Sequence, residues 1–295
     1  MMSGKKYREK AIEIFLGGSA SVTIFTTLAI IAVLIYESLG FFGEVSLVEF
    51  FTDKQWTPLF TDKHFGILPL LSGTLLTSFI AISIAIPIGL SIAVFLNEYA
   101  PKKFRQTVKP MLELLAAVPT VVYGFFALIV VTPFLQKLIP EISTFNSLSA
   151  GIVMGIMIIP YISSLSEDAL FAVPFSLREA SYGMGSTRFQ TAFRVTIPAA
   201  SSGIVVSIIL AISRAIGETM IVTIAAGQQP NLTANPLVPI ETMTAYIVQV
   251  SLGDVQHGTL EYQTIFAVGL TLFVFTFLLN TISHWIKNKY RQKYE

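Results

Sequence analysis

Six separate stretches of this chain are long and apolar enough to cross a lipid bilayer as helices. They lie at about 12–36, 67–96, 110–134, 148–166, 200–226 and 262–286. A hydrocarbon core roughly 30 Å thick takes about 20 apolar residues in a helix. Within lipid every backbone N–H and C=O must be satisfied inside the protein, and a helix does this along its own length. The expectation is an all-α integral membrane protein of six transmembrane helices, one transmembrane domain over 1–295. Composition agrees: 13% of residues are charged, about half the share of a soluble domain. That is too little to cover a surface facing water. The first stretch follows basic residues, as a signal peptide would. Its apolar run from Ile14 to Tyr36 exceeds a signal core, however, and no small-x-small cleavage site follows. It reads as a retained span.

Loop charge sets the orientation. Fifteen Lys and Arg residues fall on the side holding both termini and the 97–109 and 167–199 connections. Only Lys54, Lys63 and Lys137 fall on the other, and Arg214 lies inside a span. Cytoplasmic loops carry the basic excess, so both termini are expected in the cytoplasm, with the chain in a plasma or inner membrane. The outer side carries nine acids against its three cations. Such a face repels a small anion, so an anionic cargo would have to be delivered to it. The outer 227–261 segment contains an apolar stretch around Tyr246–Leu252 that reads as a short interfacial helix.

The longest inner connection, 167–199, reads as a bent hook. A first helix begins near Pro174, with Ser176 as N-cap and Glu179 completing a capping box. Glycines at 183 and 185 mark the bend, and a second helix runs over about 186–195, stopping before Pro198. Phe189, Ala192 and Phe193 recur at helical steps and give it one apolar face. By periodicity alone this is either an interfacial amphipathic loop or a knob that a partner buries.

The spacing Glu179-Ala180-Ser181, three residues, Gly185, nine residues, Val195, one residue, Ile197-Pro198 resembles the EAA loop of ABC-importer permeases. Ser181, Val195 and Ile197 depart conservatively from that pattern. The resemblance implies the type I importer permease fold, with 167–199 as the coupling-helix loop. Glu179, Ala180, Ser181, Gly185, Arg188 and Phe189 would then contact a cytoplasmic ATP-binding-cassette ATPase dimer. Pro119–Gly124, Pro160–Ala169 and Arg214–Met220 resemble the phosphate-specific transport permeases. Of that family's two paralogous subunits, the last stretch is closer to PstC than to PstA. Implied further are a homologous second permease subunit, an extracytoplasmic phosphate-binding protein and phosphate as cargo, with lipid as surroundings and no nucleic acid. Sulfate or molybdate as cargo, or the paralogous phosphate subunit, are the near alternatives.

Arg214 and Glu218 lie four residues apart in the fifth apolar stretch, on the same helical face. Central ionisable residues cost on the order of 2.5–3.5 kcal/mol each on insertion scales, so they should face the bundle interior or a wet cavity. One reading makes them a packing device. In the other, Arg214 is the anion's transient countercharge, since its guanidinium fork matches two oxyanion oxygens, and Glu218 holds it when the path is empty. Ser213 and Thr219 would line the same path. Thr74, Thr77, Ser78, Ser207 and Thr223 are either path-lining or helix-packing residues, and Gly151 and Gly155 form a small-xxx-small face.

The chain contains no Gly-x-x-x-x-Gly-Lys loop, so energy would come from a separate ATPase. It also has no cysteine, its spans hold no paired carboxylates, and there is no metal-ligand spacing and no Ser–His arrangement. No catalytic residue, metal or cofactor is therefore expected. An ion-coupled secondary transporter using Glu218 as a proton carrier is a second class. The EAA-like loop and the absence of a visible inverted repeat speak against it.

Overall fold

A computed structural model describes residues 2–289; Arg291 and Lys293 lie outside the described residues. Helix α1 (Met2–Glu44) is followed by the short α2 (Leu47–Thr52) and by α3 (Leu68–Tyr99). Next come α4 (Lys102–Ala116), α5 (Thr120–Leu138) and α6 (Ser147–Phe171). The hook is built from α7 (Phe175–Gly183) and α8 (Arg188–Ala199). The chain closes with α9 (Ser201–Ile216), α10 (Met220–Ala225), α11 (Met243–Leu252) and α12 (Leu260–Lys289).

Among the described residues, five helices are long and apolar enough to cross a membrane by themselves: Arg8–Glu44 of α1, α3, α5, α6, and Leu260–Ile286 of α12. The sixth crossing is reached only by α8 and α9 together, which bend by 72° between them. Two expected spans are thereby corrected. The third begins at Thr120 rather than 110, because Pro119 offers no N–H and pushes Val118 out of the helical region. Residues 102–116 instead form α4, amphipathic and separate. The fifth stops at Ile216, where Gly217 ends the helix, and resumes as α10.

The centre of the bundle is α3 against α6, running parallel. A Cβ at Gly151 would come within 2.7 Å of Ile80, and one at Gly155 within 2.9 Å of the Ala81 carbonyl. Only glycine lets the backbones approach this closely. The small-xxx-small face is therefore spent within this chain. Thr74, Thr77, Ser78 and Ser207 are all buried; Thr77 donates to the Gly73 carbonyl and Ser207 pairs with Ser166 at 2.7 Å. Thr77 and Ser207 are thereby engaged within the bundle. α9 lies antiparallel to α6, with Gly203 against Ala169.

Around this centre Met154, Ile158, Ile162, Ile221 and Val222 form the main apolar core. A second core at the end away from the hook gathers Phe41, Phe50, Trp56, Leu70, Met243 and Tyr246. The 53–66 turn closes it, held by His64 Nδ1 and the Asp53 carboxylate at 2.8 Å. α11 is not interfacial: Met243, Thr244, Ala245, Tyr246 and Val250 are buried. Helix α1 docks its C-terminal part on α12, where a Cβ at Gly40 would press on Gln263. Most of its remaining length stands exposed.

Candidate functional site

The hook forms as two arms, with three local corrections. α7 starts at Phe175 after Pro174, whose extended conformation turns the chain without any side-chain cap, so Ser176 is not the N-cap. The capping box occurs in the second arm, where Thr187 and Gln190 exchange bonds of 3.3 and 2.9 Å. That arm does not stop at 195. It widens into a π turn over Ala192–Thr196 and carries through Pro198 to Ala199. Gly185, with φ +84, makes the bend, a conformation other residues resist. The Ser181 and Thr191 hydroxyls meet at 2.9 Å and tie the arms.

Arg178 fastens the hook to the bundle. Its residue is 9% exposed, its Nη2 donates to the Leu170 carbonyl at 2.8 Å, and its Nε lies 3.7 Å from Glu98. Beside it, Arg105 and Lys109 of α4 grip the wholly buried Glu167 of α6; Lys109 also meets Asp168. The Arg105 guanidinium covers the Phe171 ring at 4.2 Å. Burial works against the Lys109 charge, but Asp168 and Glu167 outweigh it and raise its pKa. These ion pairs were not singled out from sequence. The signal was a basic 102–109 segment and an acidic 167–168 pair at the same predicted end.

The exposed surface of the hook includes large apolar side chains. Met184 is 87% exposed and Phe189 60%, with Phe175 and Phe193 beside them, and the Phe189 and Phe193 rings stand 4.5 Å apart. Among the six residues expected to couple, Glu179, Ala180, Gly185, Arg188 and Phe189 are exposed on this knob. Ser181 is half-buried and serves as the tie.

The second locus is the break between α9 and α10. Arg214 and Glu218 do not form the expected pair; among the described residues Arg214 has no carboxylate at ion-pair distance. The helix ends at Ile216, so the four-residue spacing no longer places them on one face. Glu218, 8% exposed, turns its Oε1 to the N–H groups of Met220 and Ile221 at 3.1 and 3.3 Å and caps α10. Its carbonyl accepts from the Thr244 hydroxyl at 2.6 Å. Arg214 is exposed, its guanidinium 5.8 Å from the Tyr161 ring. Ser213 donates to Asn280 at 3.2 Å, and Thr219 to the Gly217 carbonyl at 3.3 Å. The structure thus gathers Arg214, Glu218, Thr219 and Ser213 around one interruption but assigns them separate partners.

The break has a neighbour. α10 packs on α5, where a Cβ at Gly124 would meet Ile224 at 2.9 Å and the Met220 carbonyl at 3.2 Å. α5 itself follows the break at 117–119, which the Tyr123 hydroxyl spans by donating to the Leu115 carbonyl. Broken helices at membrane depth are found where they are buried in protein or line a cavity.

A family described as the binding-protein-dependent transport system inner membrane component matches residues 85–292. The chain belongs to this family. As an inner membrane component it is a transport permease, and the EAA-like hook falls within the matched region. The phosphate transport system permease protein PstC of Mesorhizobium japonicum is 37% identical over 270 residues, 85% of this chain and 80% of that one. PstC of Haemophilus influenzae is 33% identical over 279 residues, covering 87% and 85%. In fold, the inner membrane component resembles a chain of a bacterial ABC transporter importing the acidic polysaccharide alginate. The TM-score is 0.60 at 16% identity, over 88% of this chain and 89% of that one. The architecture is that of a type I ABC importer permease.

Proposed function

We propose that this permease translocates inorganic phosphate into the cytoplasm as the PstC-like subunit of an ATP-binding-cassette importer, its single transmembrane domain lying with both termini and the hook in the cytoplasm. Arg214 carries the reading. It is an exposed guanidinium at a helix interruption, on a bundle whose central Thr74, Thr77, Ser78 and Ser207 are buried. A charge this costly to insert, unpaired by carboxylate, suits a transient oxyanion ligand. Its fork matches phosphate oxygens, and weak contact lets the cargo leave. Glu218 acts at one remove: it fixes the turn that presents Arg214.

A homologous second subunit would cover the Arg214 face and complete the path. The exposed apolar knob of Met184, Phe189 and Phe193 would sit in an ATPase, and the fifteen basic residues favour the hook side as the inner one. An extracytoplasmic phosphate-binding protein would deliver cargo to the acidic outer face. The relatives named above support phosphate over other oxyanions.

The test is reconstitution of the assembled transporter and uptake of labelled phosphate against sulfate. Wild type should import phosphate only with ATP, and Arg214→Ala should abolish uptake while assembly and basal hydrolysis persist. Normal uptake by the variant would return Arg214 to a packing role, and preferred sulfate uptake would reassign the cargo.

A further inference from the structure

At the hook end of the bundle, α4 and α6 frame a pocket of about 560 Å³, lined by Lys102, Arg105, Gln106, Lys109, Glu113 and Phe171 among others. α4 runs back along the last turns of α6. Arg105 reaches Glu167 and Phe171, and Lys109, one turn on, reaches Glu167 and Asp168. Glu167 is wholly buried and holds the two cations from behind the pocket wall. It does not exhaust them, since a guanidinium carries five N–H donors and an ammonium three. Among the described residues Lys102 and Lys103 have no carboxylate at ion-pair distance. Lys102 and Gln106 are exposed. Glu113 is the carboxylate of the lining, one turn beyond Lys109 on the side away from the hook.

The pocket and Arg214 meet the same face of α6. Over 161–168 the buried residues are Ile162, Ser163, Ser166 and Glu167; Tyr161, Ser164, Leu165 and Asp168 recur at helical steps and form an open strip. Arg214 sits over the Tyr161 ring at one end, and Lys109 meets Asp168 at the other. Seven residues separate the ends, about 10 Å along the helix. Between them Ser164 is half-buried, and its hydroxyl has no partner among the described residues. Its neighbours on the buried faces are engaged: Ser163 donates to the Pro160 carbonyl at 3.0 Å, and Ser166 pairs with Ser207. Serines in a span commonly bond to the carbonyl one turn back, as Ser83 and Ser91 do. The Ser164 hydroxyl stays free for water or a passing anion.

We propose that this pocket is a release site for the transported oxyanion. Resting on the transport reading above, phosphate freed from Arg214 passes along the open strip of α6. Lys109, Arg105 and Lys102 meet it before it enters the cytoplasm. At about 30 Å³ per water, the pocket holds phosphate with part of its hydration shell, and contact of that kind is weak enough to let the anion leave. Glu113 repels the anion and shortens its stay. The headgroup phosphate of an anionic lipid has the same chemistry, and the experiment separates the two sources.

The chain has no cysteine, so Gln106→Cys places its one thiol in the pocket without removing a cation. The assembled transporter, in nanodiscs of phosphatidylcholine alone, is treated with an uncharged water-soluble thiol reagent at constant ionic strength, and labelling of this chain is followed. Inorganic phosphate should slow labelling saturably. Lys102→Gln should raise the phosphate concentration needed about fivefold, the effect of one solvent-exposed charge contact. Glu113→Gln should lower it, and a merely structural role would not give shifts of opposite sign. Protection should persist in Arg214→Ala, because the pocket is a separate site. An unreactive thiol, no protection by phosphate, loss of protection in Arg214→Ala, or shifts of one sign in both charge variants would overturn the release site. So would labelling that added phosphatidylglycerol blocks and phosphate leaves unchanged, which would make the pocket a lipid headgroup site. Failure of the transport reading looks different: the assembled wild-type transporter would import no phosphate, whatever the thiol reports.

Discussion

The Arg178 guanidinium donates to the Leu170 carbonyl at 2.8 Å, bolting the first arm of the hook to the last turn of the helix it leaves. The hook is thus no loose loop. Arg178 joins the knob to α6, and Ser166–Ser207 joins α6 to α9.

Arg178→Met should uncouple rather than unfold. A hydrogen bond from a charged donor contributes about 1.5–3 kcal/mol, and methionine keeps the apolar stem. Purified transporter carrying the variant should assemble but consume more ATP per phosphate moved. An unchanged ratio would show that the bolt transmits nothing.

Removing the cap at the break should destabilise locally. Glu218→Ala leaves the Met220 and Ile221 N–H groups unmet, a loss of about 0.5–2 kcal/mol for a helix cap. Glu218→Gln keeps an acceptor and should lose less. Hydrogen exchange at 219–223 is the readout, with faster exchange expected in Ala than in Gln. Equal protection in both variants would contradict the capping role.

Gly155→Val should disrupt the bundle centre, since its Cβ would meet the Ala81 carbonyl at 2.9 Å. Overpacking costs typically about 1–3 kcal/mol. The melting temperature in detergent should drop, and more than for Gly183→Val, a glycine with open space around it.

Stability should also fall as pH rises, through Glu241. Burial pushes its folded-state pKa up to about 8 against an ordinary 4.5, so the folded chain holds a proton that the unfolded chain releases. The contribution is fully present below about pH 4.5 and is lost as pH climbs through about 8. Thermal unfolding between pH 6 and 9 should show this slope, and Glu241→Gln should flatten it. An identical slope in the variant would assign it to other groups.

Exposed Phe189 and Phe193 yield a partner prediction. Replacing both with Ser should leave the isolated chain as stable as before, because neither ring is buried. Recovery of an ATPase on the purified chain should fall at least tenfold, about 1.4 kcal/mol. Full recovery would place the docking surface elsewhere.

Much was legible from local pattern, because hydropathy, loop charge and glycine–proline punctuation act over a few residues. Five apolar stretches became crossing helices, the bend at Gly185 formed where the glycines stand, and Gly151 and Gly155 marked a close helix contact. Pro119 is a local signal too, marking where α4 gives way to α5 inside one long apolar window. Other features were beyond the linear reading. The spacing of Arg214 and Glu218 implies a pair only in an unbroken helix, and the break is fixed by Thr244 from the 226–252 region and by α5 against α10. The burial of Glu241 arises from Gly73 and Thr74, about 170 residues away in sequence. Periodicity reports which face of a helix is apolar; which distant segment meets that face, and which polar atom is left without a partner, depends on packing in three dimensions.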